Sequence, residues 1–121
     1  MKLPGPDHPI EVSANPGRVK VLFGGRVIAD TTRAVTLRET THAPVHYIPR
    51  EDTVMVLLTR TEHSTHCPYK GDASYFSITV DGKTAENAVW SYEHPFPAMA
   101  EIEGRLAFYP SRVDAIEEQP S

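Results

Sequence analysis

The chain has 121 residues, of which 40% are hydrophobic, and this length is typical of a single domain. Sixteen acidic against twelve basic residues give a net charge of -4, which argues against a protein that binds nucleic acid through a basic face. The longest apolar run, residues 54–58, is far shorter than the ~20 residues of a membrane-spanning helix, and no secretory signal is recognisable at the start. We therefore expect a soluble, cytoplasmic protein with no membrane or nucleic-acid partner.

Prolines and glycines are spread along the chain and divide it into segments too short for long helices. Residues 1–9 carry three prolines and a glycine without periodicity, and residues 117–121 are polar, so both ends are expected to be loosely ordered. We predict one domain over residues 1–121, with an ordered core from about residue 10 to about residue 116. The fold class should be mainly β, a compact antiparallel domain of hairpins and sheet.

Two β-hairpins are predicted from alternating apolar residues on either side of a turn. Gly24-Gly25 forms the first turn and Asp81-Gly82 the second, because both pairs accept the positive φ values of tight hairpin turns. The residues expected to face the core are Val19, Val21 and Phe23 in the first hairpin and Phe76, Ile78 and Val80 in the second.

Further elements are predicted between and after the hairpins. Residues 33–39 alternate with Val35 and Leu37 inward, and residues 45–48 form a short apolar strand. Residues 54–58 are apolar on both faces, which is typical of a central buried strand. One short helix near the C-terminus is expected over residues 97–103, because Pro97 suits a first turn and Gly104 the position after the last one. Residues 106–109 then form another strand.

The densest group of reactive side chains lies at residues 63–72, which we predict to be a structured loop. Cys67, the single cysteine, has His66 before it and Lys70 shortly after it. An ammonium or imidazole beside the sulfur would stabilise its thiolate, whereas apolar burial would leave it inert. The sequence leaves both possibilities open.

The same stretch also offers possible metal ligands. His63, His66 and Cys67 are acceptable zinc ligands, with His42 or His46 to complete the set. Their spacing matches no common zinc loop, so we predict no metal. The chain also lacks the glycine-rich motifs of dinucleotide and nucleotide sites, so no cofactor is expected.

Two other groups are candidates for binding. Arg50, close to Tyr47, has the planar fork that holds a carboxylate or phosphate, but it could equally pair with Asp52. Trp90 and Tyr92 are expected on one face of a strand, where they would line an aromatic pocket or fill the core.

Several blocks together resemble one small family. They are residues 23–30, residues 47–52, the stretch His66-Cys67-Pro68-Tyr69-Lys70-Gly71-Asp72-Ala73-Ser74-Tyr75, residues 90–92 and residues 107–109. The pattern is similar to domain-of-unknown-function family 427, over about residues 18–114, and its Cys-Pro-Tyr-Lys-Gly block is specific. The resemblance implies a compact antiparallel β domain and no defined reaction. A nucleotidyltransferase label is attached to the family in some collections, but the paired acids of polymerase-like transferases after a Gly-Ser are absent here.

The resemblance marks a set of positions as the family's signature. They are Tyr47, Arg50, Asp52, Cys67, Tyr69, Lys70, Tyr75, Trp90 and Tyr92. Cys67 and Lys70 stand out because neither residue type is an obvious choice for a turn, whereas Pro68 and Gly71 are.

Three functions are compatible with these residues. In the first, the domain binds a small anionic molecule, with Arg50 and Lys70 as the cations. Tyr47, Tyr69, Trp90 and Tyr92 would then complete the ligand site. In the second, a small-molecule enzyme uses Cys67 as nucleophile or redox thiol, Lys70 to stabilise the thiolate and His66 as acid or base. In the third, the signature residues serve only the fold or a partner surface.

Overall fold

The computed structural model describes residues 1–120, and short antiparallel strands dominate them. The strands are β1 (Ile10–Ala14), β2 (Arg18–Phe23), β3 (Arg26–Thr31), β4 (Val35–Glu39), β5 (Val45–Tyr47), β6 (Leu58–Cys67), β7 (Gly71–Val80), β8 (Lys83–Ser91), β9 (Ala107–Phe108) and β10 (Ala115–Gln119). Four short 3-10 segments connect them, at Arg50–Asp52, Met55–Leu57, Pro97–Ile102 and Pro110–Arg112. The predicted mainly β class is confirmed.

The strands form three antiparallel sheets. Their orders are β1-β4-β5, β10-β2-β3 and β6-β7-β8-β9. Isolated bridges link the sheets and turns, among them Ile48 to Leu106 and Ala29 to Thr53. Among residues 1–120, no helix has the length and apolar character needed to cross a membrane.

Both predicted hairpins are confirmed. Gly24 and Gly25 have positive φ between β2 and β3, and Asp81 and Gly82 do so between β7 and β8. Of the six predicted core residues, Phe23 is half-buried and the others are buried. These five are Val19, Val21, Phe76, Ile78 and Val80.

The interior contains two hydrophobic clusters. The first lies around β2, β3, β7 and β8 and includes Ile28 and Val89. The second is rich in tyrosine and includes Tyr47, Tyr75 and Tyr92. β8 contributes to both, because Val89 belongs to the first cluster and the next residue, Trp90, packs against the second.

The prediction of a central buried strand at residues 54–58 was wrong. The amide of Val54 donates to the carbonyl of Ile28, and the chain then makes a 3-10 turn at Met55–Leu57. Val56 is 88% exposed, and β6 begins only at Leu58. An apolar run without a glycine or polar residue carries no local signal for such a turn.

The prediction of a short helix near the C-terminus was also wrong, because this segment forms 3-10 turns. Pro97 does begin a helical turn, but Met99 has non-helical backbone angles, so Pro97–Ile102 is a pair of 3-10 turns. Six residues are too few to stabilise an α-helix without strong capping, and no side chain caps this segment. Its buried residues, Met99 and Ile102, join the second cluster instead.

Residues 63–72 are a hairpin and not the predicted loop. His66 pairs with Asp72 and Cys67 with Gly71, so β6 and β7 enclose a turn of Pro68, Tyr69 and Lys70. At the end of the chain, β10 pairs with β2 and extends to Gln119, beyond the expected core boundary at about residue 116.

Candidate functional site

A cavity of about 210 Å³ lies where β4, β5, β7 and β8 meet the β6–β7 turn. Aromatic side chains dominate its walls, namely Tyr47, Tyr75, Trp90, Tyr92 and Tyr109. Lys70 and Glu39 are the charged residues of the lining. The register of the sheets brings these side chains together from strands that are far apart in the sequence.

Lys70 is a buried cation held by a carboxylate. Its side chain is 9% exposed, and Nζ donates to Oε1 of Glu39 at 2.6 Å. The other carboxylate oxygen of Glu39 lies 2.6 Å from Nε2 of His8. A buried lysine needs such a partner because an uncompensated charge in the interior costs several kcal/mol.

Glu39 is ionised in this arrangement. Burial favours its neutral form, but the hydrogen bonds with Lys70 and His8 outweigh that effect and lower the pKa of Glu39. The ring of His8 also stacks on Tyr69, with centroids 4.1 Å apart and planes within 5° of parallel. The N-terminal segment is therefore joined to the turn that carries Lys70.

Three tyrosines of the cavity, Tyr47, Tyr92 and Tyr109, have a raised pKa and keep neutral hydroxyl groups. Burial raises the pKa of Tyr47, against a hydrogen bond from Nε1 of Trp90 at 3.3 Å, and burial raises the pKa of Tyr92 as well. Burial and a 3.2 Å hydrogen bond with the Tyr75 hydroxyl raise the pKa of Tyr109 to about 12. The walls can thus stack on a ring and exchange hydrogen bonds without adding charge.

Cys67 adjoins Lys70, whereas His66 does not. Sγ of Cys67 lies 3.8 Å from Nζ of Lys70, and the half-buried Cys67 packs against the second cluster. His66 is on the opposite face of β6, 62% exposed, with Nδ1 2.7 Å from Oδ1 of Asp72. The structure brings together the thiol and the ammonium of the predicted catalytic set, but not the imidazole.

Arg50 belongs to a different cluster. Its guanidinium donates to Glu93 at 2.9 Å and to the carbonyl of Gly104 at 2.7 Å, and it lies over the ring of Phe76. It does not line the cavity. The expected pair of cations, Arg50 with Lys70, is therefore not assembled, and neither does Arg50 pair with Asp52, whose partners are Arg33 and Thr31.

The remaining predicted residues divide between the cavity and its surroundings. Tyr47, Trp90 and Tyr92 line the cavity with Lys70, whereas Tyr69 lines a surface depression beside residues 2–8. Sequence reasoning missed Glu39 and His8 as site residues. Glu39 is 31 residues from Lys70 in the sequence, and only the expectation that a buried lysine needs an acidic partner could have prompted a search for it.

Within residues 1–120, no three side chains of His, Cys, Asp or Glu come close enough together to hold a metal ion. Of the possible zinc ligands, His63 packs against the ring of Tyr75 and His66 is paired with Asp72.

Comparison with known proteins gives one family. The family model described as Domain of unknown function (DUF427) matches residues 11–119, which include every residue of the cavity. No curated protein matches the chain.

Proposed function

Since the chain belongs to the DUF427 family, we propose from the site itself that it binds a small anionic molecule in the cavity beside Lys70 and Cys67. One observation carries the proposal. The ammonium of Lys70, 9% exposed, lies beside its partner Glu39 in the wall of a cavity that is lined mainly by tyrosines and a tryptophan. Buried charge in a concave aromatic site is typical of ligand recognition.

Lys70 has hydrogen-bonding capacity to spare. An ammonium carries three N–H donors, of which one is directed to Glu39 and a second contacts the sulfur of Cys67 at a long distance. A ligand carboxylate can accept the third. The hydroxyl groups of Tyr92 and Tyr109 can donate to its second oxygen.

The cavity size restricts the ligand. A volume of about 210 Å³ is below the ~300–1,000 Å³ of typical drug-sized pockets. The aromatic walls favour a planar apolar body, because Trp90 and the tyrosines offer ring faces and edges. A small aromatic carboxylate fits these requirements, and benzoate is the simplest probe.

Glu39 competes with an anionic ligand for Lys70. Replacing its carboxylate by an amide keeps a hydrogen-bond acceptor but removes the negative charge that already neutralises the ammonium. We therefore expect Glu39→Gln to tighten benzoate binding. The double variant Glu39→Gln/Lys70→Met should bind benzoate about 10- to 150-fold more weakly than Glu39→Gln, because a charge-assisted hydrogen bond is worth about 1.5–3 kcal/mol.

Trp90 provides the measurement. It is the chain's only tryptophan and lines the cavity, so its fluorescence reports benzoate binding directly. The double variant avoids leaving Glu39 buried with an unpaired charge, and a thermal melt of each variant checks that it folds. Glu11→Gln and Lys83→Met, at exposed positions in β1 and β8, are the matched controls and should bind benzoate as the wild type does.

Two results would contradict the proposal. One is the absence of saturable binding of benzoate to a folded wild-type protein and to Glu39→Gln. The other is equal affinity in Glu39→Gln and the double variant, which would mean that Lys70 is not the anion-binding group.

A second candidate function rests on the 3.8 Å contact between Sγ of Cys67 and Nζ of Lys70. If Cys67 is a nucleophile or redox thiol, iodoacetamide should alkylate it faster than a model thiol at pH 7, and the rate should fall in Glu39→Gln/Lys70→Met. Mass spectrometry gives the rate without ambiguity, since the chain has one cysteine. A rate no faster than that of the model thiol would leave ligand binding as the function.

A further inference from the structure

A second and larger cavity, of about 410 Å³, lies next to the first. The two share Val45, Trp90 and Tyr109 as lining residues. The deep part of the larger cavity is formed by the first hydrophobic cluster, through the fully buried residues Val21 and Ile48. Its volume falls within the range of ordinary small-molecule sites.

The walls of the larger cavity are apolar and aromatic. Trp90, Phe108 and Tyr109 offer ring surfaces, and Ile116 of β10 contributes an aliphatic side. No lysine or arginine of residues 1–120 lines this cavity. A planar hydrocarbon can therefore contact these walls on several sides. An anionic group would have no lysine or arginine side chain to bind it.

The open end of the cavity carries a carboxylate. Ala43, Pro44 and Glu118 are exposed residues of the lining, and the Glu118 side chain is 61% exposed. Oε2 of Glu118 lies 3.3 Å from Nε2 of His46, whose Nδ1 is 2.9 Å from the hydroxyl of Thr36. His46 is thereby held in place. Oε1 of Glu118 accepts a long hydrogen bond from Nδ2 of Asn15 at 3.4 Å, and the exposed carboxylate supplies the negative charge at the mouth.

We propose that this second cavity binds a small aromatic amine, with the rings between Trp90, Phe108 and Tyr109 and the ammonium on Glu118. The ligand class is opposite in charge to that of the first cavity. Lys70 and Glu39 take no part, so this inference does not depend on anion binding at the first site.

The experiment compares two compounds with the same ring system, 2-naphthylmethylamine and 2-naphthoate, by calorimetry at pH 8. We expect saturable binding of the amine to the wild type. Glu118→Gln should weaken it about two- to fivefold, because an exposed ion pair contributes modestly. Glu117→Gln is the matched control, on the neighbouring residue of β10 and outside the cavity, and should bind the amine as the wild type does.

A second variant tests the cavity itself. Ala43→Trp places an indole at the mouth and should reduce amine affinity at least tenfold, whereas Ala98→Trp, at another exposed alanine, should leave it unchanged. Amine binding should also persist in Glu39→Gln/Lys70→Met. The proposal is overturned if the amine does not saturate the wild type, or if Glu118→Gln and Ala43→Trp both bind it as their controls do.

Discussion

Glu93 binds two arginines and a serine at once. Arg60 donates to its Oε1 at 2.7 Å, Arg50 to its Oε2 at 2.9 Å, and the hydroxyl of Ser74 to Oε1 at 3.0 Å. Both guanidinium groups also lie over the ring of Phe76, at 5.1 and 5.5 Å from its centroid. The hydrogen bond from Arg60, helped by those from Ser74 and Arg50 and opposed by burial, lowers the pKa of Glu93 to about 2.

This lowered pKa predicts how stability depends on pH. The pKa of Glu93 is below the ordinary glutamate value of 4.5, so its stabilising contribution is fully present above about pH 5 and is lost as the pH falls towards 2. Glu93→Gln should cost about 1–3 kcal/mol of unfolding free energy at pH 7. The difference between wild type and variant should shrink on acidification.

Urea unfolding at pH 7, 5 and 3 measures that difference. Glu103→Gln, an exposed glutamate, is the control and should follow the wild type at every pH. A Glu93→Gln deficit that is the same at pH 7 and pH 3 would contradict the assignment of the low pKa to Glu93.

Residue types in the site were partly predictable. Lys70 was recognisable as a candidate site residue because a lysine is an unusual choice for a turn such as Cys-Pro-Tyr-Lys-Gly. Trp90 and Tyr92 were recognisable as residues that line a pocket or fill the core. The partner of each charge was not predictable, because Glu39 with Lys70 and Glu93 with Arg50 are far apart in the sequence and meet only in the folded structure. The prediction that Arg50 and Lys70 bind one ligand together failed for the same reason. It rested on residue types alone, and in the folded structure the two side chains belong to different clusters.

At the scale of elements, the β6–β7 turn is what positions Lys70. Gly71 begins β7 with φ +113°, a conformation that residues with a Cβ rarely adopt. The carbonyl of Lys70 accepts a hydrogen bond from the amide of Phe96 at 2.9 Å, and the amide of Lys2 donates to the carbonyl of Pro68 at 2.8 Å. The turn is thus fixed from two sides.

Gly71→Ala should therefore affect both stability and the site. The strained backbone should cost about 1–3 kcal/mol of unfolding free energy, and the displaced Lys70 should bind benzoate more weakly. Gly82→Ala is a matched comparison, since Gly82 has φ +81° in the β7–β8 turn, away from both cavities. It should cost about 1–2 kcal/mol without changing benzoate affinity. Equal affinity losses in the two variants would mean that the turn does not control the site.

The two hairpins were predictable because turn residues lie between their strands. The hairpins at Gly24-Gly25 and Asp81-Gly82 combine an alternating pattern with residues that accept positive φ. Residues 54–58 are recognisable only by their hydrophobicity. Hydrophobicity alone does not distinguish a buried strand from a turn that packs on the core with one side only. The segment after Pro97 offered helix-compatible residues but no capping side chain.

On the scale of the whole molecule, the two hydrophobic clusters are not independent. β8 supplies Val89 to one and Trp90 to the other, and β9 does the same with Phe108 and Ala107. If such a strand is displaced from one cluster, its packing in the other cluster is disturbed as well. Both cavities lie at this junction, so the ligand sites and the stability of the fold depend on the same strands.

The shared strands predict a single cooperative unfolding transition. Trp90 fluorescence reports the second cluster, and far-ultraviolet circular dichroism reports all three sheets. In urea the two signals should have the same midpoint and slope. A fluorescence transition at clearly lower urea than the loss of sheet signal would show that the tyrosine-rich cluster unfolds separately.

The pairing of β10 with β2 has a consequence for the order of folding. Val19 and Val21 lie near the beginning of the chain, yet their strand is completed by Glu118 and Ile116, near its end. Contacts between such distant residues carry a large loop-closure cost and slow folding. During synthesis, the edge of β2 that pairs with β10 stays unpaired until residues 115–119 have left the ribosome, so the larger cavity, which Ile116 helps to enclose, cannot form before they have.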